Sequence, residues 1–358
     1  MQVKNLQITT QHNCDISDAR DNGIYSICTL VLKLRNHYKW ENLLEPWDEP
    51  DSPTLLDWIE AKENYWQSIA SDNFQEPSFN NQNSDPYDVA LINGHLTDTS
   101  LIYGAGYGRS LKSIFFLAEK IESKIIDGCP VFILGREMAR ELASPFAMLQ
   151  DGIIYIRRNS LRFFFWDQIQ EIRSSSRAPL QHALALYGVM TDDKLNRKLF
   201  QENLDRIVDQ EIPTFIHHEI GEMHETTLDS ATLKIIIRAF PGSAIEFLAR
   251  TIKDMLADTH PKGMLGHIIS EQKETSLAFY VGFLDGLRKV LAPEIIESFN
   301  DFLSTPDWAK IDQARKTCRA QNLERAEKLN KLSLALEHEP PETVKCRIEA
   351  QLLSPLNL

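Results

Sequence analysis

Between residues 99 and 160 the apolar residues stop recurring at helical spacing and gather in short runs, CPVFILG at 129–135 and GIIYIRR at 152–158 among them. Runs of that length read as buried strands. The stretch SLIYGAGYGRSLKSIFFLAEKI (100–121) reads as a strand, a glycine turn and a helix. REMARELA (136–143) reads as a short helix, and NSLRFFFWDQIQEI (159–172) as a return to helix. Strands separated by helices imply a sheet, while helical periodicity prevails on both sides. The expected fold is therefore mainly α, with a small α/β segment (a parallel or mixed sheet) in the middle.

Five stretches follow from this pattern. Residues 1–70 form a helical N-terminal region, in which Ile24, Ile27, Leu30, Val31 and Leu34 mark a helix over about 17–38. Ser52-Pro53 starts another, continued by Leu56, Ile59 and Trp66. Trp40, Trp47, Trp58 and Trp66 crowd into this region, as core rings or as a stacking cage. Residues 71–98 read as a polar loop or linker, rich in Asn and Pro through 71–88. Residues 99–175 hold the α/β segment, and 176–305 are helical, with breaks at Pro213, Pro241-Gly242, Pro261 and Pro293. Residues 306–358 form a heavily charged C-terminal helix and tail, exposed to solvent or to a protein partner.

A net charge of −13 repels phosphate backbones and disfavours nucleic acid. The nearest basic cluster is Arg157, Arg158 and Arg162, followed by Arg173 and Arg177. Five scattered cysteines with no CxxC argue against a disulfide framework and a cysteine zinc site. The N-terminal residues lack the apolar core of a signal peptide, and no apolar run is long enough to span a bilayer. No membrane association and a cytoplasmic location are expected.

Two clusters carry chemistry. Gly104, Gly106 and Gly108, followed by Arg109 and Ser110, would place backbone amides and a cation at a helix entry, suited to an anion. The spacing is neither GxGxxG nor a P-loop, and a packed strand-to-helix turn accounts for the glycines equally well. The second cluster is HHEIGEMHE at 217–225. At about 100° per residue, Ile212, Ile216 and Ile220 form an apolar stripe and His218, Glu222 and Glu225 lie nearly opposite. His217 and His224 fall on a third face. His267 and Glu271 repeat the four-residue spacing, and Asp254, Asp258 and His260 lie nearby in sequence. Polar pairs of this kind also occur on solvated helix faces.

The segment His218-Glu219-Ile220-Gly221-Glu222 resembles the metalloprotease helix motif HExxH, with glutamate in place of the second histidine. The resemblance implies His218 and Glu222 as metal ligands and Glu219 as the catalytic base. A metal there needs ligands from a second helix, for which the repeated spacing makes His267 and Glu271 candidates. The carboxylate suits iron or manganese as well as zinc. CDISDA (14–19), LIYGAGYGRSLK (101–112) and FILGREMAREL (132–142) together resemble a bacterial protein family of unknown function. That resemblance implies no activity. The leading expectation is a metal-dependent enzyme, by hydrolysis or oxygen chemistry, using Zn, Fe or Mn. The alternatives are a non-catalytic helical interaction module and a binder of small anions at Gly104–Ser110.

Overall fold

The computed structural model describes residues 2–80, 82–108, 111–170 and 176–357. The chain is mainly helical, with a mixed five-stranded sheet over residues 101–157, the class the sequence predicts. It divides into two compact units, 1–167 and 168–358.

The N-terminal unit opens with α1 (Gln2–Asp21), a short 3-10 turn (Asn22–Ile24), α2 (Ile27–Glu41) and α3 (Ser52–Ile69). The single helix expected over 17–38 is thus two helices. Ser26 caps α2 by accepting from Thr29 N. The stripe that suggested one helix is partly outward, since Ile27 is 82% and Val31 48% exposed. What goes inward is less apolar: Asn13, Cys14, Asp15, Ile16, Ser17 and Asp18 of α1 are all buried. α3 does begin at Ser52-Pro53, with Asp51 accepting from Thr54 N.

A two-residue strand pair, β1 (Ser78–Phe79) and β2 (Gln82–Asn83), and α4 (Val89–Gly94) follow. Segment 71–98 is not a linker between bodies. Phe79, Val89, Ile92 and Leu96 pack with Leu6, Tyr103 and Phe115, and Asn13 of α1 bonds both the N–H and the carbonyl of Gln75.

The sheet comprises β3 (Leu101–Tyr107), β4 (Ser113–Ile126), β5 (Cys129–Arg140), β6 (Ala147–Gln150) and β7 (Ile153–Arg157), in the order β3-β4-β5-β7-β6. Only β5 and β7 are parallel, from Val131↔Ile154 to Leu134↔Arg157. The helix expected after the glycines is strand β4, and REMAR lies in β5 rather than in a short helix. β7 runs directly into α5 (Arg158–Gln170). One sheet face packs Tyr103, Phe115 and Leu117 against α1 and α4, and the other packs Ile102, Phe116, Leu134 and Tyr155. The sheet is the centre of the N-terminal unit, not a domain of its own.

The C-terminal unit contains α6 (Arg177–Leu186), the short pair β8 (Met190–Thr191) and β9 (Lys194–Leu195), α7 (Arg197–His224), α8 (Ser230–Ala239), α9 (Ala244–Thr259) and α10 (Met264–Ser270). It continues with α11 (Glu274–Phe283), α12 (Gly286–Leu291), α13 (Pro293–Ser304), α14 (Trp308–Leu334) and α15 (Pro341–Ile348). α7 starts well before Pro213 and runs through it, capped by Asn196. α14 packs on α9 and α13, burying Ile311, Cys318, Leu329 and Leu332. The charged C-terminal helix is therefore a core element of its own unit.

Candidate functional site: a two-lobed cavity beside β5

The sequence-predicted residues do not converge. Gly104 and Gly106 lie inside β3, opposite Phe116 and Ile114 of β4, and not at a helix entry. A Cβ on Gly104 would lie 2.1 Å from the Phe116 ring, so this glycine makes room for a packed aromatic. Gly108 closes the hairpin, its N–H donating to Lys112 O. Arg109 and Ser110 lie outside the described residues. Lys112 is buried, with Nζ 2.9 Å from Asp18 and donating to Ser17 O.

On α7, His218 Nδ1 lies 2.6 Å from Asp258 of α9, and Glu222 pairs with Lys253 one turn earlier on α9. The face opposite the isoleucines is thus neither solvated nor open; it forms a ladder of ion pairs between two helices. Burial works against charge on His218, but Asp258 outweighs it, with Glu219 and Asp254 adding, and the imidazole is pushed up to about 10. Glu219 is buried. His267 stacks on His217, ring centroids 4.1 Å apart and nearly parallel, not on His218. Burial, then His217, pushes it down to about 4. Because imidazole nitrogens bind metals in the ring plane, two stacked parallel rings cannot share one ion well. Glu271 is exposed at the end of α10. Among the described residues no group of three His, Cys, Asp or Glu is disposed to hold a metal ion.

The N-terminal unit places its polar groups differently. The parallel pairing of β5 and β7 stops at Leu134 and Arg157, and β5 continues alone on that edge. Side chains satisfy the freed backbone there: Trp40 Nε1 donates to Glu137 O, Gln7 to Met138 O, and Gln11 bonds both the N–H and the carbonyl of Arg140. A cavity of about 650 Å³ opens in front of this edge, lined among others by His12, Asp15, Trp40, Lys62, Tyr65 and Arg136. A second, of about 260 Å³, lies beside β5 just past the end of its pairing with β7, against Gly135, Arg136, Arg158, Asn159 and Arg162. The two share Trp40, Leu43, Arg136 and Glu137 as walls.

Most charges around these walls are matched. Lys62 reaches Asp15 at 3.2 Å and Glu41 at 3.6 Å. Arg162 reaches Glu45 at 2.6 Å. Behind the cavity, fully buried Arg157 joins Glu137 and reaches Glu141 at 2.9 Å, while Arg140 pairs with Glu137 at 3.3 Å. Burial would raise the Glu137 carboxyl, but Arg157 and Arg140 hold it below the usual range. So the basic cluster expected near 157–177 is not a patch: Arg157 is inside, Arg158 and Arg162 line the smaller lobe, and Arg173 lies outside the described residues. Arg136 is exposed and makes no ion pair or hydrogen bond among the described residues.

Residues 5–157 match the N-terminal domain, and residues 162–353 the C-terminal domain, of a family of unknown function (DUF6866). The chain belongs to the DUF6866 family. No curated protein and no solved structure matches it. The DUF6866 domain boundary falls at the start of α5, close to the division of the chain at Asp167 and Gln168. No helix among the described residues is long and apolar enough to cross a membrane. Two of the three stretches that carry the family resemblance reach the cavity: CDISDA brings Asp15, and FILGREMAREL brings Arg136 and Glu137, whereas Lys112 of LIYGAGYGRSLK pairs with Asp18 outside its lining. That shared membership was the available signal for this site; the tryptophan cluster was a second, since Trp40 is a cavity wall. The others turn to rings: Trp47 to Trp166, Trp58 to Tyr38, and Trp66 is core.

Proposed function

We propose that the N-terminal domain is a receptor for a small organic anion with a flat or apolar body, held in the cavity beside β5. One observation carries this reading. Arg136 stands between the two lobes without a counter-ion among the described residues, while Lys62, Arg140 and Arg162 around it are each tied to a carboxylate. A guanidinium presents a planar fork of donors that matches carboxylate or phosphate. Trp40 and Leu43 give an apolar surface beside it, and the larger lobe lies within the size range of small-molecule sites. In a chain of net charge −13, an anion needs such a local cation to be retained.

The test uses 1-anilinonaphthalene-8-sulfonate, an aromatic sulfonate, as a fluorescent probe, displaced by a panel of organic carboxylates and phosphates. Arg136→Ala should weaken binding roughly tenfold or more, the worth of a charge-assisted hydrogen bond. Dye binding that is indifferent to Arg136→Ala, or that no anion displaces, overturns the reading. A metal-dependent reaction at His218, Glu219 and Glu222 has less behind it. An ion there would have to displace Lys253 from Glu222 and the proton that His218 holds against Asp258.

A further inference from the structure

The unit covers its free strand edges with its own side chains. Asn93 of α4 bonds both the N–H and the carbonyl of Tyr103 on the outer edge of β3. Trp40, Gln7 and Gln11 cover β5 beyond Leu134. At the far side β6 is only four residues long, and short edges recruit partners poorly. One edge is treated otherwise. β3 pairs with β4 only as far as Glu119, and after Lys120 N donates to Ser100 O, nothing among the described residues pairs with the outer edge of Ile121–Ile126. On this overhang Ile121 is 60% and Ile125 76% exposed.

We infer that this edge is a self-association surface, and that its occupant is the same edge of a second copy of the chain. The sequence Ile121-Glu122-Ser123-Lys124-Ile125 is self-complementary when two copies run antiparallel about Ser123. Ile121 then stands opposite Ile125, and Glu122 opposite Lys124, twice by symmetry. Opposed charges and apolar pairs at facing positions stabilise antiparallel strands, and like charges there oppose pairing. Within one chain Glu122 and Lys124 lie 3.4 Å apart on the surface, a weak pair that exchanges readily for the intermolecular one. Two chains of net charge −13 repel at a distance, but residues 120–127 carry Lys120, Glu122, Lys124 and Asp127 and are neutral together. Isologous pairing of this kind closes on itself and joins the two sheets into one.

Sedimentation equilibrium on the full chain over a concentration series is the test. Wild type should show a reversible monomer–dimer equilibrium. Glu122→Lys sets lysines opposite lysines and Lys124→Glu sets glutamates opposite glutamates, so each alone should weaken the dimer about tenfold or more. An equimolar mixture of the two variants restores both opposed pairs and should form a heterodimer about as tight as wild type. Circular dichroism of each variant checks that the fold is kept. A wild type that stays monomeric at every concentration, a dimer that both variants leave intact, or a mixture that fails to rescue overturns the inference.

Discussion

At the residue scale the molecule is defined by charges placed where water is not. Asp15 and Asp18 on α1, Lys112 just before β4, Glu137 and Arg140 on β5, and Arg157 at the end of β7 are all buried. Removing one partner of such a pair costs more than the pair itself contributes, so each holds the others in place. This is why α1 was not legible. Its inward face mixes Leu6, Cys14 and Ile16 with Thr10, Asn13, Asp15, Ser17 and Asp18, and a search for apolar periodicity passes over a helix that buries so many polar side chains. The same holds for His218, read as a ligand because its partner Asp258 comes from another helix. The pair makes a definite pH prediction. The folded His218 sits at about 10, above the ordinary histidine value, so its stabilising contribution is fully present below about pH 6.5 and lost as pH rises through 10. Asp258 is held below the carboxylate range despite its burial, so its contribution disappears only as pH falls through that lowered value. His218→Gln should therefore lose stability relative to wild type at pH 6, with the difference closing toward pH 10.5. An imidazole resonance of His218 that titrates near 6.5 would show the pairing to be absent in solution.

At the scale of elements, close approach decided what local pattern could not. The sheet's helix-like segment SIFFLAEKI is buried on both faces through its first half, so no alternation marks it as a strand. The glycines before it are strand glycines because Phe116 fills the space over Gly104. Gly221 gives the same lesson on α7. In the HEIGE motif it is not a spacer between ligands: a Cβ there would lie 2.1 Å from the Ala257 carbonyl oxygen of α9. The two helices touch through this glycine, which brings His218 and Glu222 within reach of Asp258 and Lys253. On helix propensity alone, Gly221→Ala should stabilise by about 1 kcal/mol. The contact reverses the sign, because rigid backbone cannot move aside as a side chain can, and a loss of about 1–3 kcal/mol in urea unfolding is expected. A gain in stability would mean that α7 and α9 do not touch through Gly221.

For the whole molecule, the mainly helical class and the central sheet were legible, whereas the two-unit division was not. The polar, Asn-rich composition of 71–88 resembles a linker, yet its few aromatic residues are what count: Phe74 meets the ring of Phe115 and Tyr87 that of Tyr107, while Tyr103 donates to Pro86 O. The true division at Asp167 and Gln168 falls inside α5, where continuous helical pattern gives composition nothing to register. Two units with separate cores can unfold separately, and the tryptophans distinguish them. Trp40, Trp47, Trp58, Trp66 and Trp166 belong to the first unit and only Trp308 to the second. Tryptophan fluorescence therefore reports the first unit almost alone, while far-ultraviolet circular dichroism is weighted toward the helices of the second. The expected result in urea is two non-coincident transitions. A displaceable anion from the Arg136 panel should move only the fluorescence transition to higher urea, because a ligand stabilises the body that binds it. Gly221→Ala should move only the other. Coincident transitions by both probes, shifted together by either change, would make the two units a single cooperative body and the division one of geometry alone.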